Sequence, residues 1–150
     1  DMITWSDHVT NDLVSPQIYS EFLLPVHQQC MDRLKGSPII LHVCGNVMDR
    51  LHFFAEAGFA LFHIDSRNSI PEALQIVDGK MALTGNINNP SILLNGSPED
   101  VREEVLGVIK DGIKLISPEC GIPTRVPDAN LLEISKTVRR YSAGKGGVGL

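Results

Sequence analysis

The chain of 150 residues carries a formal net charge of −5, with 43% hydrophobic and 21% charged residues. This composition is that of an ordinary globular domain, and its acidic balance argues against nucleic acid as a partner. No apolar run approaches the roughly 20 residues of a membrane span, so no membrane partner is expected. Three cysteines with unrelated spacing do not make a disulfide framework, which predicts a reducing, cytoplasmic compartment. Because the sequence begins at Asp1 in strand-like residues, we expect it to be a piece of a longer protein.

Apolar runs alternate with amphipathic stretches from the start of the chain. A strand is predicted to end near Trp5, and Ser15 followed by Pro16 marks the start of a helix, since Ser is a favoured cap and Pro a favoured first residue. Pro25 is expected to kink or split that helix. Five residues recur at helical spacing and are therefore expected to face the core: Ile18, Phe22, Val26, Cys30 and Leu34.

The rest of the chain repeats the alternation of strand and helix. Strands are predicted within 38–46, 59–64, 80–84 and 113–117, with a helix after each, the last one ending near residue 141. Ser97 and Asp100 form the pattern of a capping box, whereas Asn88-Asn89-Pro90 is typical of a loop. The alternation predicts a parallel sheet covered by helices. We expect one domain over residues 1–141 and a flexible Gly-rich tail over 142–150.

In such folds the chemistry gathers at the C-terminal ends of the strands. His42 and Cys44 end the second predicted strand, and because alternate residues of a strand share a face, they lie side by side. Imidazole and thiolate are both zinc ligands. For this pair alone, a buried histidine and a buried cysteine that serve only packing remain the alternative.

Cys120 follows the last predicted strand and can join His42 and Cys44 at one end of the sheet if the sheet curves into a barrel. Three protein ligands with an open fourth position are typical of catalytic zinc. Asp65, at the tip of the neighbouring strand, is the candidate for a displaceable fourth ligand. Its alternatives are a helix cap or a hydrogen-bond acceptor for His42. His63 is expected to be a packed interior histidine.

Five segments occur in the order in which one group of enzymes carries them: Ser-Pro-Gln-Ile-Tyr-Ser-Glu-Phe-Leu-Leu-Pro, His-Val-Cys-Gly-Asn, Thr-Gly-Asn-Ile, Gly-Ser-Pro-Glu-Asp-Val and Ser-Pro-Glu-Cys-Gly-Ile-Pro. Together they resemble the C-terminal half of the uroporphyrinogen decarboxylase superfamily, and within it the methylcobamide:coenzyme M methyltransferase branch. The resemblance extends over about residues 7–141. It implies an α/β fold that forms the C-terminal half of a TIM-type (β/α)8 barrel.

The resemblance also implies roles for single residues. Zinc is expected on three residues that match the ligands of the branch: His42, Cys44 and Cys120. Asp65 matches a position that completes the metal shell, where the family usually carries the longer Glu. Asp7 and Asn86 are expected to contact the corrinoid cofactor. The sequence Asp-His-Val-Thr-Asn around Asp7 differs from the Asp-Pro-Val-Ala-Ser of the family, so contacts of that loop are expected to differ.

The implied activity is transfer of a methyl group from a methylated corrinoid, carried on a partner protein, to a small thiol such as coenzyme M. The other implied partner is the N-terminal half of the barrel, or a second copy of this chain. Two alternatives stay open. One is a cobalamin-independent decarboxylase of the same superfamily, which would need more arginines than Arg50, Arg67 and Arg125 at the strand tips. The other is a non-catalytic fragment with a structural or empty metal site.

Overall fold

The computed structural model describes residues 2–144, in which five parallel strands form a single sheet. Each strand pairs with the next one along the chain, in the order β1-β2-β3-β4-β5. This is the predicted parallel arrangement of part of a TIM-type barrel. The strands have the following bounds: β1 Ile3–Asp7, β2 Ile39–Val43, β3 Leu61–Ile64, β4 Ala82–Ile87 and β5 Leu115–Pro118.

Helical segments connect the strands and follow the last one. The α-helices have these bounds: α1 Pro16–Ile18, α2 Leu24–Arg33, α3 Leu51–Ala57, α4 Ile70–Val77, α5 Pro98–Lys110 and α6 Asp128–Gly144. Two further segments are π-helical: Tyr19–Leu23 and Asn89–Leu94. Within residues 2–144, no helix combines the length and apolar character needed to cross a membrane.

The core lies between the sheet and the helices. In β2 the alternate residues Ile39, Leu41 and Val43 are buried in it, while Ile40 and His42 on the other face are only half-buried. Because parallel crossover connections are right-handed, consecutive neighbouring strands place their helices on one side of the sheet. The opposite face is therefore left open, and it carries the polar side chains of the strand ends.

The first helical stretch differs from its prediction. Tyr19 and His27 face the core, whereas Ile18, Phe22 and Val26 are 51%, 61% and 51% exposed. Tyr19 and His27, with Leu23 and Met31 packed beside them against the core, recur at the same spacing of four as the predicted stripe, one residue further along the chain. Both stripes fit helical spacing, so the pattern alone does not choose between the two faces. The expected split is seen just before Pro25, where the π-helical segment ends at Leu23 and α2 begins at Leu24. The predicted burial of the stripe is wrong, for Leu34 is exposed and Cys30 only half-buried.

The observed element boundaries also differ from the predicted ones at two places where turn residues were expected. β4 runs through Gly85 and Asn86, both with positive φ, instead of ending at Thr84. Asn88 caps the π-helical segment Asn89–Leu94, where a loop was predicted, by accepting from Ser91 N–H. The capping box of α5 is confirmed. Helix α6 continues to Gly144, and the remainder of the predicted tail, 145–150, lies outside the described residues.

Candidate metal centre

His42 and Cys44 lie side by side at the end of β2, as their spacing predicts. His42 Nε2 is 3.1 Å from Cys44 Sγ. The chain then turns at Gly45, which has φ +91°, and a Cβ there would lie 2.8 Å from Thr10 Oγ1. Glycine is therefore required at this turn for both backbone conformation and space. The turn leaves Cys44 exposed on the open face of the sheet.

The imidazole of His42 is oriented by β3. Its Nδ1 lies 3.3 Å from the carbonyl oxygen of His63, and because a carbonyl can only accept, Nδ1 carries the hydrogen. The lone pair of the neutral ring is then on Nε2, which faces both thiols. Burial, followed by the nearby His63, lowers the pKa of His42 and favours this neutral form. The Nε2 lone pair of His42 is thus free to bind a metal ion.

Cys120 completes the group from the other end of the sheet. Its Sγ is 2.9 Å from Cys44 Sγ and 3.3 Å from His42 Nε2. Strands lie about 4.8 Å apart, so three spacings would hold the ends of β2 and β5 roughly 14 Å apart in a flat sheet. The contact between the two sulfurs therefore requires a strongly curved sheet, as in a barrel. Among residues 2–144, His42, Cys44 and Cys120 are the group that could hold a metal ion.

The donor set fits zinc. Tetrahedral zinc with bonds of about 2.3 Å to sulfur and 2.0 Å to nitrogen separates its ligand atoms by roughly 3.5–3.8 Å. The three donor atoms are 2.9–3.3 Å apart, so they need to move apart by less than about 1 Å. Burial, and then the hydrogen bond with Cys120, raises the pKa of Cys44 to about 12. A bound cation acts in the opposite direction, because it stabilises the thiolate.

The Cys44 loop, residues 44–47, is held by side chains from the loop after β3. Asp65 Oδ2 accepts from Gly45 N–H at 2.9 Å, and its Oδ1 accepts from Arg67 N–H at 2.9 Å. Asn68 donates to Gly45 O and accepts from Val47 N–H. Asp65 is buried, and the structure does not bring it into the group with His42 and the two cysteines. Both carboxylate oxygens are engaged in holding backbone, which is the physical reason for this difference from the predicted ligand.

The Cys120 loop, residues 118–121, is held by two buried side chains that the sequence did not reveal as partners. Glu119 Oε1 accepts from Asn89 N–H at 2.8 Å and its Oε2 from Ser66 N–H at 3.0 Å. Asn89 Nδ2 in turn donates to the carbonyls of Cys120 and Gly121. The sequence signal for both residues was their place beside strand ends. Their pairing depends on the curvature of the sheet and could not be inferred from spacing.

The two residues expected to contact the corrinoid lie outside this group. Asp7 ends β1 and accepts from His27 Nε2–H at 3.0 Å, while His27 Nδ1 accepts from the hydroxyl of the fully buried Tyr19 at 2.7 Å. The hydrogen bond with His27 is the main cause that lowers the pKa of Asp7. Asn86 donates from Nδ2 to the carbonyls of Asp65 and residue 68. Asp7 is thus a partly exposed carboxylate held by the buried His27, and Asn86 holds the loop that carries Asp65 through its backbone carbonyls.

Two proteins of similar sequence are named methylcobamide:CoM methyltransferases. The chain is 32% identical over 132 residues to the methylcobamide:CoM methyltransferase MtbA of Methanosarcina acetivorans, which covers 87% of this chain and 39% of that protein. It is 30% identical over 145 residues to the methylcobamide:CoM methyltransferase MtaA of Methanosarcina barkeri, covering 95% and 42%. The chain therefore spans about two-fifths of the length of these relatives.

A solved structure and a family profile agree with the sequence relatives. The structure of a methyltransferase from Methanosarcina mazei matches with a TM-score of 0.89 and 27% identity, over 94% of this chain and 42% of that chain. The profile of the family described as uroporphyrinogen decarboxylase (URO-D) matches residues 1–141. The chain belongs to the uroporphyrinogen decarboxylase family.

Proposed function

We propose that this chain provides the zinc-binding part of an enzyme that transfers a methyl group from a methylated corrinoid to a thiol. The observation that carries the proposal is the convergence of one imidazole nitrogen and two thiol sulfurs, all within 3.3 Å of one another, on the open face of the sheet. The names of the relatives, methylcobamide:CoM methyltransferases, support coenzyme M as the thiol. A cytoplasmic location is part of the proposal, because the reducing cytoplasm keeps cysteine thiols free to bind a metal.

The residues of the centre have separate tasks. His42 offers a neutral nitrogen in a fixed direction, because its other ring nitrogen is bound to the His63 carbonyl. Cys44 and Cys120 offer two thiolates, which together offset the two charges of zinc. When bound, zinc stabilises a substrate thiol as its thiolate at neutral pH. The thiol proton leaves to solvent in that equilibrium, so the acceptor is ready to attack.

The reaction that follows is a nucleophilic displacement. The thiolate sulfur forms a bond to the methyl carbon, and the cobalt–carbon bond breaks with its electron pair remaining on cobalt. No oxidant or reductant is consumed, which suits a metal ion without redox chemistry. Asp7 and Asn86 are proposed to contact the corrinoid, which reaches the centre on a partner protein. The exposed position of Cys44 leaves the centre accessible from that side.

The decarboxylase alternative is less well supported, since it would need cationic groups for the carboxylates of its substrate. Arg50 is fully buried and donates to Asp49 and to the carbonyl of Val9. Arg67 and Arg125 remain exposed, and Arg67 already lies 3.9 Å from Asp65. A purely structural zinc site would use four protein ligands, whereas three converge within residues 2–144.

A direct assay tests the proposal. Full-length, zinc-loaded protein is mixed with methylcobalamin and coenzyme M under anaerobic conditions, and the absorbance change from methylcobalamin to cob(I)alamin is followed. We expect demethylation that depends on coenzyme M and is lost in Cys120→Ser. Ser97→Ala serves as the matched control and should keep the activity, because Ser97 caps α5 and its side chain bonds to Asp100, not to residues of the centre. Thiol-independent demethylation, or none, would overturn the proposal.

A further inference from the structure

We infer that His63 is a positioning residue that joins the two halves of the metal centre, a role that rests on the proposed zinc function. The backbone of His63 contacts His42, the candidate metal ligand on β2, and its side chain contacts the loop that carries Cys120. The carbonyl oxygen of His63 contacts His42 Nδ1, and its ring Nε2 contacts the carbonyl oxygen of Pro118. His63 was expected only to be a packed interior histidine.

The backbone contact fixes His42. Strands β2 and β3 pair with His42 opposite His63, and the carbonyl of His63 accepts from His42 Nδ1–H at 3.3 Å. The two rings face the same side of the sheet, with centroids 4.5 Å apart. This contact depends on the position of β3 and not on the chemistry of the His63 side chain. Substitutions of the side chain should therefore leave the orientation of His42 intact.

The side-chain contact fixes the Cys120 loop. His63 Nε2 lies 2.6 Å from the carbonyl oxygen of Pro118, two residues before Cys120. Because that carbonyl can only accept, Nε2 carries the hydrogen and donates. The bond spans β4, which lies between β3 and β5 in the sheet, and so it fixes the curvature at the level of the ligands.

Gly85 makes room for this bond. It lies on β4 opposite Ile64, and a Cβ at this position would lie 2.7 Å from His63 Cδ2 and 2.6 Å from the carbonyl of Ile64. Its φ of +110° also disfavours other residues. The His63 ring is thus confined between His42 on one side and Gly85 on the other. The confined ring holds the Pro118 carbonyl, and with it the Cys120 loop, at a fixed distance from β3, whose backbone holds His42.

The backbone of His63 is therefore expected to orient His42, and its side chain to hold the Cys120 loop, and the two roles can be measured separately. Removing the His63 side chain should leave His42 and Cys44 in place but release the Cys120 loop from its bond to β3. Partners of this kind typically change metal affinity by about 10–100-fold. The released loop should also bind the metal with a less uniform sulfur geometry. A general packing defect would instead lower stability without changing the ligand geometry.

Cobalt binding to the full-length protein tests the inference. Metal-free protein is titrated with Co²⁺ against a competing chelator, and the visible ligand-field and thiolate-to-cobalt charge-transfer bands are recorded. The variants are His63→Leu and His63→Gln, since the Gln amide keeps an N–H donor. The matched control is Thr84→Val. Thr84 pairs with His63 and donates to Leu115 O at 2.7 Å, so its loss removes a different bond to the same strand β5.

We expect His63→Leu to lower cobalt affinity by about 10–100-fold and to weaken the charge-transfer band per bound cobalt, with partial recovery in His63→Gln. Thr84→Val should retain the wild-type spectrum. Unchanged affinity and spectrum in His63→Leu, or the same loss in Thr84→Val, would overturn the role of His63. Absence of charge-transfer bands in the wild type would instead overturn the proposed metal centre, so the two failures are distinguishable. Urea unfolding of each variant establishes that the comparison is made between folded proteins.

Discussion

The two cysteines of the candidate metal centre lie on loops that differ in where the carboxylate that holds them comes from. The Cys44 loop is held from outside, by the carboxylate of Asp65 that accepts from Gly45 N–H. The Cys120 loop carries its own carboxylate, Glu119, which reaches out to Ser66 N–H and Asn89 N–H. In both cases a buried carboxylate accepts from backbone N–H groups and so connects the loop of a cysteine to a neighbouring loop. The difference is that one carboxylate belongs to a neighbouring loop and the other to the loop itself.

This difference reflects how each cysteine is brought to the site. Cys44 lies two residues from His42 on one strand, so strand geometry alone places the two side by side. Cys120 comes from 76 residues further along the chain than Cys44 and three strands away. Its position depends on the sheet curvature and on contacts with two other loops. We therefore expect the Cys44 loop to tolerate the loss of its carboxylate better than the Cys120 loop does.

The largest expected effect is the loss of either thiol. Cys44→Ser and Cys120→Ser should each lower zinc affinity by more than about 100-fold, beyond the usual effect of changes around the ligands. Removing a ligand opens the shell and lets the metal dissociate. Zinc affinity measured by chelator competition provides the test. A variant that binds zinc as tightly as the wild type would remove its cysteine from the ligand set.

Removing the charge of each carboxylate tests how strongly the Cys44 loop and the Cys120 loop depend on it. Glu119→Gln and Asp65→Asn each replace an oxygen that accepts from backbone N–H with an NH2 group, at a cost of about 1–3 kcal/mol in unfolding free energy. Zinc affinity should fall further in Glu119→Gln, because Cys120 has no short connection to His42. Urea unfolding and chelator competition on both variants measure the two quantities. An equal or larger loss of affinity in Asp65→Asn would break the comparison.

A helix cap outside both loops gives a smaller effect. Ser97 accepts from Asp100 N–H, and Asp100 accepts from Ser97 N–H, in the capping box of α5. Ser97→Ala should lower the unfolding free energy by about 1 kcal/mol and leave zinc affinity unchanged. Thermal unfolding with and without zinc measures both. Zinc loss without a loss of stability would contradict the assignment of this residue to the helix alone.

The smallest expected effect is a pH dependence at Asp7. Its pKa lies below the ordinary value of 3.8, chiefly because of the hydrogen bond with His27. The carboxylate therefore stabilises the folded state at higher pH, and this contribution is lost as the pH falls through the lowered pKa. Asp7→Asn should be less stable at pH 7 by less than about 1 kcal/mol. Unfolding curves between pH 7 and 3 should show this difference shrinking on acidification; a constant difference would contradict it.

The fold and the convergence of the three candidate ligands could be predicted from different parts of the sequence. Apolar runs and caps were sufficient for the parallel sheet and for the capping box of α5. The His-x-Cys spacing on β2 placed two ligand candidates on one face. Cys120 could be placed only after a strand, and the expectation of a barrel brought it to the same end of the sheet. The structure brings these three residues together.

The remaining features depend on tertiary contacts or on irregular backbone. Tyr19 and His27 face the core on a stripe one residue along from the predicted one, and because both stripes recur at helical spacing, only the packing against the sheet distinguishes them. Asp65 has the chemistry of a metal ligand, and only the fold shows that both of its oxygens accept from backbone. The partners of Glu119 lie more than 25 residues away in the sequence, at 53 and 30 residues. No local pattern carries such information.

X-ray absorption at the zinc edge of the full-length protein tests the central claim most directly. His42, Cys44 and Cys120 predict one nitrogen and two sulfurs on zinc in the absence of substrate. Addition of the thiol acceptor should raise the sulfur count to three, because an open position admits the substrate sulfur. The same measurement in Cys120→Ser should begin with one sulfur fewer, provided that zinc is retained at the concentrations used. A sulfur count of two that does not rise with the thiol would contradict the proposed function, even with zinc bound.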